Sequence, residues 1–122
     1  MLNNTKSVLT WIFAIILIAA GINHIVNPVM YGPLIPNFLP LKATNYCTAL
    51  VEIGIGTGLL FSVTRRLAAI LTMLLMIFFL PFHVVDACRE EPAIGSHTFA
   101  WIRLFLQFVL IYWAWFLIPR AR

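Results

Sequence analysis

Five side chains in this sequence are of types that do chemistry in apolar surroundings: His24, Glu52, His83, Asp86 and Arg103. Each lies inside or at the edge of a long apolar run, where an ionisable group is costly and is as a rule paired, inward-facing and functional. Glu52 is the sharpest case. It stands about nine residues into its run, near the midplane of a bilayer by helical rise. Two readings stand for it: a member of a binding site, or a protonated carboxyl acting as glue between helices. His83 and Asp86 are spaced i,i+3 and share a helical face, and Pro81 just before them is expected to kink that helix and free backbone carbonyls. Arg103 and Gln107 share a face at i,i+4. An inward Arg103 would be the counter-ion of Glu52, whereas an outward one would snorkel to the membrane interface. His24, with Asn23 beside it, sits near the end of its run, either as an interfacial residue or as a ligand-binding one.

A His/Glu set is suited to proton transfer to and from a small molecule. Metal binding is not expected, because no paired-His or His/carboxylate motif has ligand spacing. Cys47 and Cys88 form no CxxC. They stand either as a redox or disulfide pair, permitted outside the cytoplasm, or as small apolar residues. Gly54, Gly56 and Gly58 lie deep in an apolar run, where they signal close helix packing. A dinucleotide fingerprint would need a strand before them. No residue set for a flavin, haem or iron–sulfur cluster is evident, so no cofactor resides in the chain on this reading.

The elements that position these groups follow from composition. Of 122 residues, 62% are hydrophobic and 10% charged. A soluble domain is nearer half apolar and a quarter charged. A globule of this size could not hide so much apolar surface, and disordered chains are polar. Four apolar stretches, residues 8–26, 43–63, 67–87 and 99–118, each approach the roughly 20 residues that span a bilayer as a helix. Asn27-Pro28 ends the first, and Pro33, Pro36 and Pro40 are expected to keep the following stretch from being helical. Thr64-Arg65-Arg66 makes a tight turn, Glu90-Glu91-Pro92 with Gly95 separates the last two stretches, and Pro119 ends the fourth. The first run continues past Ala19-Ala20-Gly21 and so reads as a span rather than a signal core. The expected fold class is an all-α membrane protein, a single four-transmembrane-helix bundle over residues 1–122.

Orientation follows from the bases. Lys6, Arg65, Arg66, Arg120 and Arg122 share one side of such a bundle. Lys42 and Arg89 take the other, with Arg103 just inside the membrane. This bias predicts both termini in the cytoplasm. The bases punctuate apolar runs and do not cluster on a soluble face, so no nucleic-acid partner is expected. The polar set then gathers in the outer half above an apolar cytoplasmic half, the pattern of a ligand pocket opening outward.

Several motifs resemble a known family. Gly21-Ile-Asn-His24-Ile-Val-Asn-Pro28, Val51-Glu52-Ile-Gly-Ile-Gly-Thr-Gly58-Leu-Leu, Arg65-Arg66-Leu-Ala-Ala, Trp101-Ile-Arg103 followed by Gln107, and Trp113-Ala-Trp115 resemble successive segments of DoxX-like (DoxX/MauE-type) small membrane proteins. The likeness covers nearly the whole chain. It implies a four-helix bundle of the bacterial inner membrane, associated with quinone-linked oxidoreductases or with disulfide and redox maturation. The motif-matching positions are His24, Pro28, Glu52, Arg103 and Gln107.

Three functions stand as expectations. The first is a redox-associated subunit that binds a quinone or similar small molecule through His24, Glu52, His83, Asp86, Arg103 and Gln107, with electrons supplied by a partner oxidoreductase. The second is a non-catalytic docking subunit. The third is a small carrier or proton relay formed by a homo-oligomer in the lipid bilayer.

Overall fold

A computed structural model describes residues 3–120. It contains α1 (Asn4–Val26), a 3-10 helix (Pro28–Leu34), α2 (Leu41–Leu60), α3 (Arg65–Ala87) and α4 (His97–Leu117), with no strand among the described residues. α1, α3 and α4 are 23, 23 and 21 residues long and apolar enough to cross a membrane, which marks the chain as a membrane protein. α2 has 20 residues but is diluted by Thr44, Asn45, Thr48, Glu52 and Thr57, and it is not among those three apolar helices.

Local chemistry sets the ends. Asn3 caps α1, its side chain accepting from Lys6 N at 2.8 Å, and Ser96 caps α4 through Phe99 N at 3.2 Å; both satisfy amides that a helix start leaves orphaned. Arg65 donates to Leu59 O at 2.9 Å and Leu60 O at 3.1 Å, closing the last carbonyls of α2. The proline-rich stretch after α1 is not devoid of helix. Pro28 enters the 3-10 helix where its missing N–H costs nothing, and Pro33 sits one residue from the end. α3 continues as a helix through Pro81.

The helices alternate in direction. α1 packs chiefly on α2 and α3 chiefly on α4, with a lesser contact between α2 and α3 and a thin one between α1 and α4. The α1–α2 approach depends on two missing side chains. A Cβ at Gly21 would lie 2.9 Å from Ala49 O, and one at Gly56 would lie 3.0 Å from Ala14 O, so only glycine lets the backbones meet there. Gly54, expected to join this packing, faces open space.

One end of the bundle, where α2 turns into α3, is tied by an apolar cluster. Phe13, Ala14 and Leu17 meet Leu59, Ala68, Ala69, Met76, Ala114 and Leu117, and Phe13 meets Trp113 edge-to-face at 4.8 Å between centroids. The other end carries the 3-10 helix and nearly all the buried ionisable groups. Large apolar side chains cover the outside, Leu50 (79% exposed) and Phe105 (68%) among them, as suits a lipid-facing surface.

Candidate functional site

A cavity of about 260 Å³ opens at the end away from the apolar cluster, between α1, the 3-10 segment, α2 and α3. Phe78, Phe79 and Phe82 of α3 make one wall, and Leu34, Ile35, Pro36 and Leu39 make another. His24, Thr44, Thr48, Glu52 and His83 supply the polar groups. The chamber is therefore apolar and aromatic with a small polar end, the usual composition of a small-molecule site.

Glu52 projects from the middle of α2 and is 4% exposed. Its Oε2 has no hydrogen-bond partner among the described residues. The nearest counter-group is His24 Nε2, 3.6 Å away. His83 Nδ1, from α3, is likewise buried without a partner. A buried polar atom left unpaired costs about 1–3 kcal/mol. Two of them beside one cavity mark a place where something else can complete the hydrogen bonds.

His24 is held on two sides. Its Nδ1 lies 2.7 Å from Asn45 Oδ1. Its ring stacks on Tyr31 with centroids 3.6 Å apart and planes at 19°. Tyr31 is itself anchored, its hydroxyl accepting from Asn23 Nδ2 at 2.6 Å, and Asn23 Oδ1 accepts from Asn27 at 2.7 Å. The 3-10 helix thus carries the ring that covers His24, which is why that segment lies across the bundle end.

Asp86, Arg103 and Gln107 do not line this cavity. The expected ion pair between Arg103 and Glu52 is not formed. Arg103 donates to Asp86 instead. The cause is helix adjacency: α4 packs on α3, and Arg103 near the start of α4 comes level with Asp86 near the end of α3. Glu52 sits mid-helix on α2, whose neighbours are α1 and α3. Asp86 is fully buried, and its Oδ1 also accepts from Ala93 N at 2.7 Å and lies 3.5 Å from Arg89 Nη1. Arg89 reaches on to the Pro33 carbonyl and so fastens the 3-10 segment to α3. Gln107 is buried and donates to Met76 O at 2.6 Å, one residue from the carbonyl that Pro81 deprives of its helical donor.

Cys47 and Cys88 are both exposed free thiols. Among the described residues no three His, Cys, Asp or Glu side chains come together as a metal-ligand set. Asn45, 2% exposed, and Tyr31 were not among the site residues expected from the sequence. The signal for Asn45 was present: Asn45, Thr48 and Glu52 stand at i, i+3 and i+7, a polar stripe down one face of an otherwise apolar helix.

In comparison with known proteins, the sequence matches the family described as Domain of unknown function (DUF8561) over residues 13–118. No curated protein and no solved structure matches it.

Proposed function

The chain belongs to that family, and we propose that it is a multi-pass subunit of the bacterial inner membrane that binds a quinone or similar ring compound in the His24–Glu52–His83 cavity. The observation that carries this reading is the unpaired Oε2 of the buried Glu52, a residue that lines a cavity with an aromatic wall. An apolar ring fits between Phe78, Phe79 and Phe82. Its oxygen completes the hydrogen bonding of Glu52 or His83. A volume of about 260 Å³ is at the low end for small-molecule sites and matches a single-ring head group better than a dinucleotide.

On this reading α2 is the fourth span. Its polar stripe faces protein, so it needs less hydropathy than its neighbours. The distribution of basic residues supports both termini in the cytoplasm, with the cavity in the outer half of the membrane. The resemblance to DoxX-like proteins supports a redox association. Since the chain has no evident electron-carrying group, a partner oxidoreductase supplies the electrons.

A second reading is favoured by one observation. Asp86 binds Arg103 and Arg89, Gln107 binds the Met76 carbonyl, and none of the four lines the cavity. They suit a docking subunit whose polar groups lock helices together.

Purified protein in lipid nanodiscs, titrated with ubiquinone-1 by native mass spectrometry and calorimetry, separates the two. Wild type binds one ring compound per chain, and Glu52→Gln loses that binding while its melting temperature holds. A sharp fall in melting temperature with binding unchanged would establish Glu52 as helix glue and the docking reading as correct.

A further inference from the structure

Asn45 has no place in the motifs considered above, yet its hydrogen bonds decide which atoms of the cavity can carry a proton. Its Nδ2 lies 3.1 Å from Pro28 O and 3.0 Å from Leu41 O. Both are carbonyls, which accept only, so the amide orientation is fixed: nitrogen toward the two carbonyls, oxygen toward His24. Asn45 Oδ1 is therefore the acceptor in its 2.7 Å contact with His24 Nδ1, and Nδ1 must be the donor. An imidazole with a proton on Nδ1 presents, when neutral, a bare Nε2. That nitrogen faces Glu52 Oε2 at 3.6 Å. Tyr31, stacked on the ring, prevents it from turning over.

From this chain of contacts we infer that Asn45 is a positioning residue that makes His24 Nε2 and Glu52 Oε2 a pair sharing one exchangeable proton, presented to the ligand in the cavity. The inference rests on the ring-compound reading above for its ligand but not for its geometry. Two bare atoms facing each other would repel, and a proton on either one removes that conflict. The pair is neutral overall whether the proton sits on Glu52 as a carboxylic acid or on His24 as an imidazolium beside a carboxylate. Glu52 lines the cavity, and its Oε2 lacks any other partner among the described residues. It is therefore the atom that hands the proton over. One bond from the proton to the pair breaks, one O–H bond forms on an ionised ring oxygen, and the pair is left with one negative charge. The reverse transfer takes the proton back, and no electrons move in either direction. His83 Nδ1, on the opposite helix, is free to hold the ring in place during the exchange.

The test is the protonation pattern of the His24 ring in ligand-free protein. Protein labelled with 15N-histidine in lipid nanodiscs is read by NMR, with His24→Gln used to assign the signals. Wild type should show a proton on Nδ1, in either the neutral or the doubly protonated ring. A bare Nδ1 overturns the inference, and this arm needs no variant of Asn45. In Asn45→Leu the neutral ring should shift toward Nε2–H, donating to Glu52, while far-UV circular dichroism keeps its helical signal. An unchanged Nδ1–H ring in that folded variant also overturns it. Ubiquinone-1 affinity should fall about tenfold in Asn45→Leu, a change of about 1.4 kcal/mol. If wild type shows the Nδ1 proton and binds no ubiquinone-1, the tautomer assignment stands and the ring-compound reading falls.

Discussion

The His24 imidazole and the Tyr31 phenol lie face to face, 3.6 Å between centroids and 19° from parallel. One belongs to α1 and the other to the 3-10 helix, so a single stack joins the span that supplies the cavity's imidazole to the segment that roofs it. The stack and the Asn23–Tyr31 hydrogen bond can be separated by substitution. Tyr31→Phe keeps the ring and leaves Asn23 Nδ2 without its acceptor, so it should cost about 1 kcal/mol of stability and leave ubiquinone-1 release unchanged. Tyr31→Leu removes the stack and should speed release severalfold. Stopped-flow dissociation distinguishes them, and equal rates for the two variants would show that the roof does not depend on the ring.

Asp86 is the most exacting buried charge. It answers Arg103, Arg89 and the Ala93 amide from full burial. Asp86→Asn leaves two guanidinium groups without their carboxylate and should cost about 3–5 kcal/mol, the range for breaking a buried pair. The double change Asp86→Leu with Arg103→Met should recover a large part of that loss, because the uncompensated charge goes with its partner. Thermal unfolding in detergent reads both. A double variant no more stable than Asp86→Asn would mean that the pair contributes shape alone.

Gly56 and Gly54, two residues apart, make a matched comparison. Gly56→Ala drives a methyl group to within 3.0 Å of Ala14 O and 3.1 Å of Leu17 Cβ, so α1 and α2 must separate and the melting temperature should fall. Gly54→Ala meets nothing within 4 Å and should hold or raise stability, by up to about 1 kcal/mol from helix propensity. Equal effects at the two sites would contradict the α1–α2 packing described.

Cys88 follows α3 and is exposed, which makes it a reporter of sidedness. In spheroplasts a membrane-impermeant maleimide should label Cys88 and fail to reach a cysteine placed at Arg66 until the membrane is opened. The reverse pattern would invert the proposed orientation. Intact-mass analysis without reductant should give two free thiols, consistent with their separate exposure, and a mass lower by two hydrogens would reveal a bond.

Much of the architecture was legible because apolar runs of helical length have few other uses, and because Asn27-Pro28, the break before Arg65-Arg66 and Pro119 mark their ends. Helix boundaries moved by a few residues: α2 starts at Leu41 and ends at Leu60, where hydropathy alone placed it at 43–63. Hydropathy does not register caps such as Arg65 on the α2 carbonyls. Glu52 and His24 were legible as costly groups in apolar surroundings, and they do meet. The partner of Arg103 was not, since spacing along one helix carries no information about which neighbouring helix it will face. Asn45 was hidden for a different reason. A single Asn in a helix draws little notice, and its weight comes from Pro28 O, an acceptor on another element.

The helices of this protein form two leaves, α1 with α2 and α3 with α4, bound at the spine by the apolar cluster and the turn at 61–64. His24, Asn45 and Glu52 ride on one leaf, and Phe78, Phe79 and Phe82 on the other. The gap between them is a gauge whose setting is the angle of the leaves, fastened at its open edge by the Arg89–Pro33 clasp. A flat ring passes such a gauge where a bulky saturated one jams. Discrimination by thickness would then belong to the hinge of the whole bundle and to no single side chain.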